Sequence, residues 1–184
     1  MKSLLKSVLA FATAVVIISC GDNNNAGTAH ENHEQPATET NEAANQPASV
    51  RLQDDQLNAV YQHYIHLSTA LANSDVAEAK AASNAIEAGV RELQGGSAIA
   101  SSAAKITNAS NIEVQRAAYE DLSNAMITKV KSSGVTNGEV YVQHCPMAFN
   151  DKGASWLSSN KEIRNPYFGN KMLTCGEIKE TIKK

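Results

Sequence analysis

Apolar residues spaced three and four apart dominate the middle of the chain, and this spacing constrains the fold more than any other feature. A spacing of three and four places side chains on one face of a helix. Stripes of this kind occupy, in chain order, residues 57–71, 76–93, 99–106 and 112–130. Gly95, Gly96 and Gly134 stand where helices are expected to end. Residues 51–134 are therefore predicted to form an up-and-down bundle of about four helices, so we expect an all-α fold.

Length and charge narrow the possible functions. The chain has 184 residues, which suits one domain with tails, and its net charge of −3 gives no basic surface for nucleic acid. Hydrophobic residues make up 42% of the chain but aromatic residues only 5%, since much of the apolar share is alanine. Paired carboxylates, a nucleophile elbow, a phosphate-binding loop and zinc-type ligand spacing are missing from the sequence, so we expect a protein that is not an enzyme.

The first fifty residues are typical of an exported and anchored protein. Residues 1–19 combine two lysines with a short apolar run, as a signal peptide does, and the residues before Cys20 resemble the lipobox of bacterial lipoproteins. In that class of protein the matching cysteine carries the lipid. Residues 20–50 are polar and without periodicity, so we expect a flexible linker. The predicted location is the periplasmic face of a bacterial membrane, and Gly21 favours the outer membrane over the inner.

Beyond residue 134 the composition changes. Residues 135–184 hold five aromatic residues, two cysteines and several glycines and prolines at short intervals. Closely spaced glycines and prolines indicate tight turns. We therefore predict a loop-rich extension, part of the same domain, that is packed on the bundle through its aromatic side chains.

Sulfur-containing residues form the main candidate site in this extension. Cys145 is followed by Met147, and Met172 precedes Cys175. Thiolates and thioethers are soft ligands that select Cu(I) or Ag(I), so these four residues are the candidate metal ligands, with His144 as a further candidate. In an exported protein the two cysteines are equally candidates for a disulfide. Spacing alone leaves the metal site and the disulfide open.

Four blocks of this extension resemble a bacterial domain-of-unknown-function family, number 3347. The blocks are residues 145–148, 153–158, 163–169 and 172–176, and they match in order. Members of that family occur as small exported lipoproteins, and related segments occur in periplasmic adaptor subunits of copper and silver efflux pumps. The resemblance implies a role in handling these metals, with a heavy-metal efflux adaptor as a partner. The function expected is therefore soft-metal binding for buffering or delivery, and the alternative is a structural or protein-interaction lipoprotein with a Cys145–Cys175 disulfide.

Overall fold

The computed structural model describes residues 49–184. The predicted signal peptide, the lipidation at Cys20 and the linker, except for its last two residues, lie outside the described residues. Within the described part of the chain, no helix is both long enough and apolar enough to cross a membrane.

Four long helices make up the first half of the described chain. Their bounds are α1 Asp55–Ala72, α2 Val76–Gly89, α3 Ser97–Thr107 and α4 Ile112–Ser133. Consecutive helices pack against each other, and α1 also contacts α4. These helices lie where the apolar stripes predict them, because their buried side chains are members of those stripes. The end of α2 differs from the prediction, since the helix ends at Gly89 and not at Gly95, and Gly96 is instead the N-cap residue of α3.

Side-chain caps fix where three of the helices begin. Asp54 accepts a hydrogen bond from the backbone N–H of Leu57 at the start of α1, and Asp75 accepts one from Glu78 at the start of α2. Asn111 caps α4 in the same way. Each cap gives a partner to a backbone donor that the helix itself leaves free.

Two antiparallel sheets accompany the helices, and the expectation of an all-α fold is therefore wrong. The first sheet pairs β1 Arg51–Leu52 with β2 Val135–Asn137, which joins the two ends of the helical segment. The second has the order β4-β3-β5 and is built from β3 Val140–Cys145, β4 Ala154–Ser158 and β5 Glu177–Ile182. The fold is a mixed α/β fold.

The extension predicted to be loop-rich thus contains most of the strands. Val, Tyr and Val begin β3, and β-branched and aromatic side chains of this kind favour a pleated surface. Glycines and prolines, which suggested an irregular segment, lie in the turns between the strands and not inside them. The remaining helical pieces are a short turn, α5 Ala148–Asp151, and a 3₁₀ turn over Gly169–Lys171.

The core continues from the bundle into the second sheet. Strand β4 packs on α4 and α1, and its Trp156 and Leu157 are almost completely buried. Tyr64 of α1 connects the two parts, because its hydroxyl group contacts the Ser123 hydroxyl at 2.7 Å and accepts a hydrogen bond from the Leu157 N–H at 3.0 Å. Aromatic rings form a chain through this interface, with Tyr64 stacked on Tyr119 and Tyr119 packed on Tyr167.

Candidate functional site: the cysteine pair of the second sheet

The two candidate cysteines meet at one end of the second sheet. Cys145 is the last residue of β3, and Cys175 lies two residues before β5, the strand that pairs with β3. Their Sγ atoms are 2.7 Å apart. Cys145 is buried and Cys175 is half-buried, so the pair is accessible from the Cys175 side only. No disulfide bond joins them in this structure.

Asn165 holds the Cys175 segment in place. Its side chain is fully buried, and its amide nitrogen donates to the Cys175 carbonyl at 2.8 Å. Its amide oxygen accepts from the backbone N–H groups of Tyr167 at 2.8 Å and Phe168 at 3.3 Å. The backbone N–H of Asn165 also donates to the Leu173 carbonyl at 2.7 Å. One side chain therefore ties the turn around Pro166 to the chain that carries Cys175.

The backbone of Gly176 lies close to the Trp156 ring, and this contact fixes the other side of the Cys175 segment. Gly176 has a φ of +148°, and a Cβ atom there would lie 2.9 Å from the Trp156 ring and 3.0 Å from the His144 carbonyl. Only glycine fits both this conformation and this space without a shift of its neighbours. The residue next to Cys175 therefore lies directly against the buried tryptophan.

The electrostatics of the pair favour protonated thiols. The hydrogen bond to Cys145, with smaller contributions from burial and from the charge of that neighbour, raises the pKa of Cys175 to about 11. Cys175 is therefore a thiol near neutral pH, and a metal ion that binds there must displace a proton. The raised pKa also makes Cys175 a weak nucleophile at neutral pH.

The two methionines occupy different surroundings. Met147, two residues after Cys145, is 47% exposed. Met172 is half-buried and belongs to the turn of Cys175, because its carbonyl accepts the Cys175 N–H at 3.1 Å. Met172 therefore lies in the same turn as Cys175, whereas Met147 is exposed and follows Cys145 in the sequence.

His144 is held away from the sulfur atoms by the alternation of the strand. Neighbouring side chains of a strand point to opposite faces. The His144 ring forms a hydrogen bond between Nδ1 and the Ser155 hydroxyl at 3.0 Å, on the face where Ser155 and Glu177 are its cross-strand partners. Over residues 49–184, no three His, Cys, Asp or Glu side chains come together so that they could hold a metal ion.

Sequence reasoning missed a second cluster, centred on Arg116. This residue occupies a position of the α4 apolar stripe, between Ile112 and Tyr119, and is only 7% exposed. Its guanidinium donates to three oxygens, those of the Pro166 carbonyl at 2.9 Å, the Leu71 carbonyl at 2.8 Å and the Ser74 hydroxyl at 3.0 Å. A charged residue within an apolar helical stripe is rarely buried without a partner, so the position of Arg116 in the sequence could have indicated this cluster.

Comparison with known proteins gives one finding. Residues 60–138 match the model of a family described as "Protein of unknown function (DUF3347)". This match supports the family that the resemblance named, but it includes none of the four blocks within residues 145–176 on which the resemblance was based. The matched segment runs from within α1 to just after β2, so it ends before Cys145. No curated protein and no solved structure matches the chain.

Proposed function

We propose that the protein is a lipid-anchored protein of the periplasmic face of a bacterial membrane that binds Cu(I) or Ag(I) through the reduced Cys145–Cys175 pair. It would buffer the metal or deliver it to a heavy-metal efflux system. The observation that supports this proposal is the meeting of the two thiols at the end of the second sheet, with one of them half-buried. Thiolates are the ligands that soft monovalent ions prefer.

The two sulfurs must move apart by about 1 Å or more to hold a metal. Metal–thiolate bonds are about 2.3 Å long in zinc sites. With bonds of similar length, two sulfurs 2.7 Å apart would enclose an acute angle at the metal. In the proposal the half-buried Cys175 side chain rotates outward, while its backbone stays held by Asn165 and Cys145 stays buried in a paired strand. The thioethers of Met147 and Met172, each close in sequence to one cysteine, then complete the ligand set.

Metal uptake in this proposal is coupled to proton release. The pKa of Cys175 near 11 means that its thiol loses a proton when metal binds at neutral pH. The apparent affinity is therefore expected to rise with pH up to about 11.

The test is a Cu(I) titration of the full chain, reduced and purified in detergent, against a competing chelator. We expect one metal ion per chain, with binding abolished in Cys145→Ser and in Cys175→Ser. Met147→Leu and Met172→Leu report separately on the thioethers. His63→Ala, on the exposed surface of α1, is the matched control and leaves the affinity unchanged. Binding that survives both cysteine substitutions contradicts the proposal.

A second candidate function has a specific observation in its favour. The thiols need to approach by only about 0.7 Å to reach the bond length of a disulfide, about 2.05 Å. Cys145 and Cys175 are 30 positions apart in the sequence. A disulfide that closes a loop of that length stabilises the chain by about 3–4 kcal/mol in the chain-entropy model. The protein would then be a structural or protein-interaction lipoprotein whose second sheet is fastened by a disulfide.

A thiol count separates the two candidates. The protein is purified from an oxidising compartment without metal and labelled under denaturing conditions, with and without prior reduction. Labelling of Cys145 and Cys175 without reductant supports the metal site. If neither residue is labelled before reduction, the disulfide candidate leads, unless the reduced protein binds Cu(I) tightly.

A further inference from the structure

A cleft of about 250 Å³ lies beside the buried Arg116, on a part of the surface that the cysteine pair does not use. We call it the Arg116 cleft. Its lining combines two cations, one carboxylate and three aromatic rings, from Arg116, Lys171, Glu113, Phe149, Tyr167 and Phe168. Small-molecule sites are concave and mostly apolar, with a few polar groups that fix orientation. The volume is below the range of drug-sized pockets, so it suits a small ligand.

Arg116 forms no ion pair within the described chain, although the Glu113 carboxylate of the same cleft acts on its charge from a longer distance. Arg116 is 93% removed from solvent, yet no carboxylate of residues 49–184 lies within 4.0 Å of it. Its Nε and Nη2 atoms donate to neutral oxygens, and its Nη1 atom donates to no acceptor in residues 49–184. Buried charges are normally paired, because an unpaired one loses its hydration without compensation. Arg116 therefore keeps one donor, Nη1, available for a ligand at the cleft.

Backbone strain builds the apolar wall of the same cleft. Phe149, Asn150 and Asp151 have φ values of +53°, +57° and +64°, three consecutive left-handed residues without a glycine. Residues other than glycine rarely adopt this conformation, and such strain is concentrated at ligand-binding and active sites. In this conformation the Phe149 ring packs edge-on against Tyr167, with ring centroids 5.4 Å apart. The turn thus holds an aromatic ring at the cleft.

We propose that the Arg116 cleft binds a small organic carboxylate, with its apolar body against Phe149 and Phe168 and its carboxylate facing Arg116 and Lys171. Charge-assisted hydrogen bonds to a guanidinium are stronger than neutral ones, and a ligand carboxylate would accept such a bond from the free Nη1 donor of Arg116. Glu113, exposed at the rim, opposes such a ligand by repulsion. Removal of the Glu113 charge should therefore tighten carboxylate binding, whereas removal of the Lys171 charge should weaken it.

The probe is benzoate, titrated calorimetrically into the full chain in detergent with a protein-free micelle blank. Benzamide has the same shape without the charge, and inorganic phosphate has charge without the apolar body. We expect benzoate to bind about tenfold more tightly than benzamide, as the loss of one charged hydrogen bond implies. We expect phosphate to bind more weakly than benzoate.

Two exposed residues give matched variants that leave the fold intact. Lys171→Gln is expected to weaken benzoate binding about two- to fivefold, and Glu113→Gln to tighten it by a similar factor. Arg116 itself is unsuitable, because its three hydrogen bonds also hold the fold together. Equal binding of benzoate and benzamide, equal binding of phosphate, or no opposite response of the two variants would overturn the proposal. Failure of benzoate to bind at all would overturn it as well.

Discussion

Replacing Gly169 with alanine tests how tightly the extension is joined to the bundle. Gly169 has a φ of +56°, and a Cβ atom there would overlap the Nη2 atom of Arg116 and lie 2.7 Å from the Ser74 hydroxyl and 3.0 Å from the Ala72 carbonyl. Alanine at this position therefore strains the backbone and forces the guanidinium away from its acceptors.

The magnitude follows from two contributions. A non-glycine residue in the left-handed conformation costs about 1–2 kcal/mol. Displacement of the guanidinium weakens the hydrogen bonds from Nη2 to Leu71 and Ser74, and a hydrogen bond from a charged group contributes about 1.5–3 kcal/mol. Gly169→Ala is therefore expected to lower the free energy of unfolding by about 3–5 kcal/mol.

Gly95→Ala is the matched control. Gly95 also has a positive φ, +75°, but its nearest neighbour to an added Cβ is the Lys129 Nζ atom at 3.8 Å. Gly95→Ala is therefore expected to lower the free energy of unfolding by the backbone contribution alone, about 1–2 kcal/mol. Urea denaturation followed by circular dichroism gives both values, and the slope m should not change between the variants. Equal losses in the two variants would refute the reasoning, because Arg116 would then contribute nothing to the difference.

Four further predictions concern the extension and its contacts with the bundle. In the reduced protein, alkylation of Cys175 should be slow at neutral pH and accelerate towards pH 11, and Cys145→Ala should shift this profile to lower pH. Because the folded pKa of Cys175 lies above the unfolded value of about 9, the reduced protein should also lose stability as pH rises from 9 to 11, which unfolding at several pH values would show. Asn165→Ala should lower the free energy of unfolding by about 2–4 kcal/mol, since it removes three hydrogen bonds of a buried side chain; a change below about 1 kcal/mol in urea would contradict this. Tyr64→Phe should cost about 1–3 kcal/mol in the same assay, because it leaves the buried Leu157 N–H without its acceptor.

The helical half of the described chain could be predicted because its signals are local. Asp54, Asp75 and Gly134 lie at helix ends, and each acts within a few residues of its own position. The strands could not be predicted in the same way. Strand β1 has two residues, and its partner β2 follows the four helices in the sequence. No residue near Arg51 therefore indicates the pairing. Strand β5 is charged and exposed along most of its length, without the apolar alternation that indicates a strand.

The candidate site was predictable in its residue types but not in its geometry. Soft ligands can be recognised from the sequence around Cys145 and Cys175, whereas their contact depends on the pairing of β3 with β5 and on the Asn165 hydrogen bonds. His144 illustrates the limit. It is adjacent to Cys145 in sequence, and the strand turns it towards Ser155.

Large aromatic side chains join the extension to the bundle at α1 and α4. Helices α2 and α3 bury mainly alanine and serine, which remove little apolar area from water. The largest buried side chains instead include Tyr64, Tyr119 and Trp156, at the interface of α1, α4 and β4. Part of the buried core therefore lies between the bundle and the extension. Because Trp156 also lies against Gly176, beside Cys175, any change in the cysteine pair acts on this shared core and not on an independent appendage.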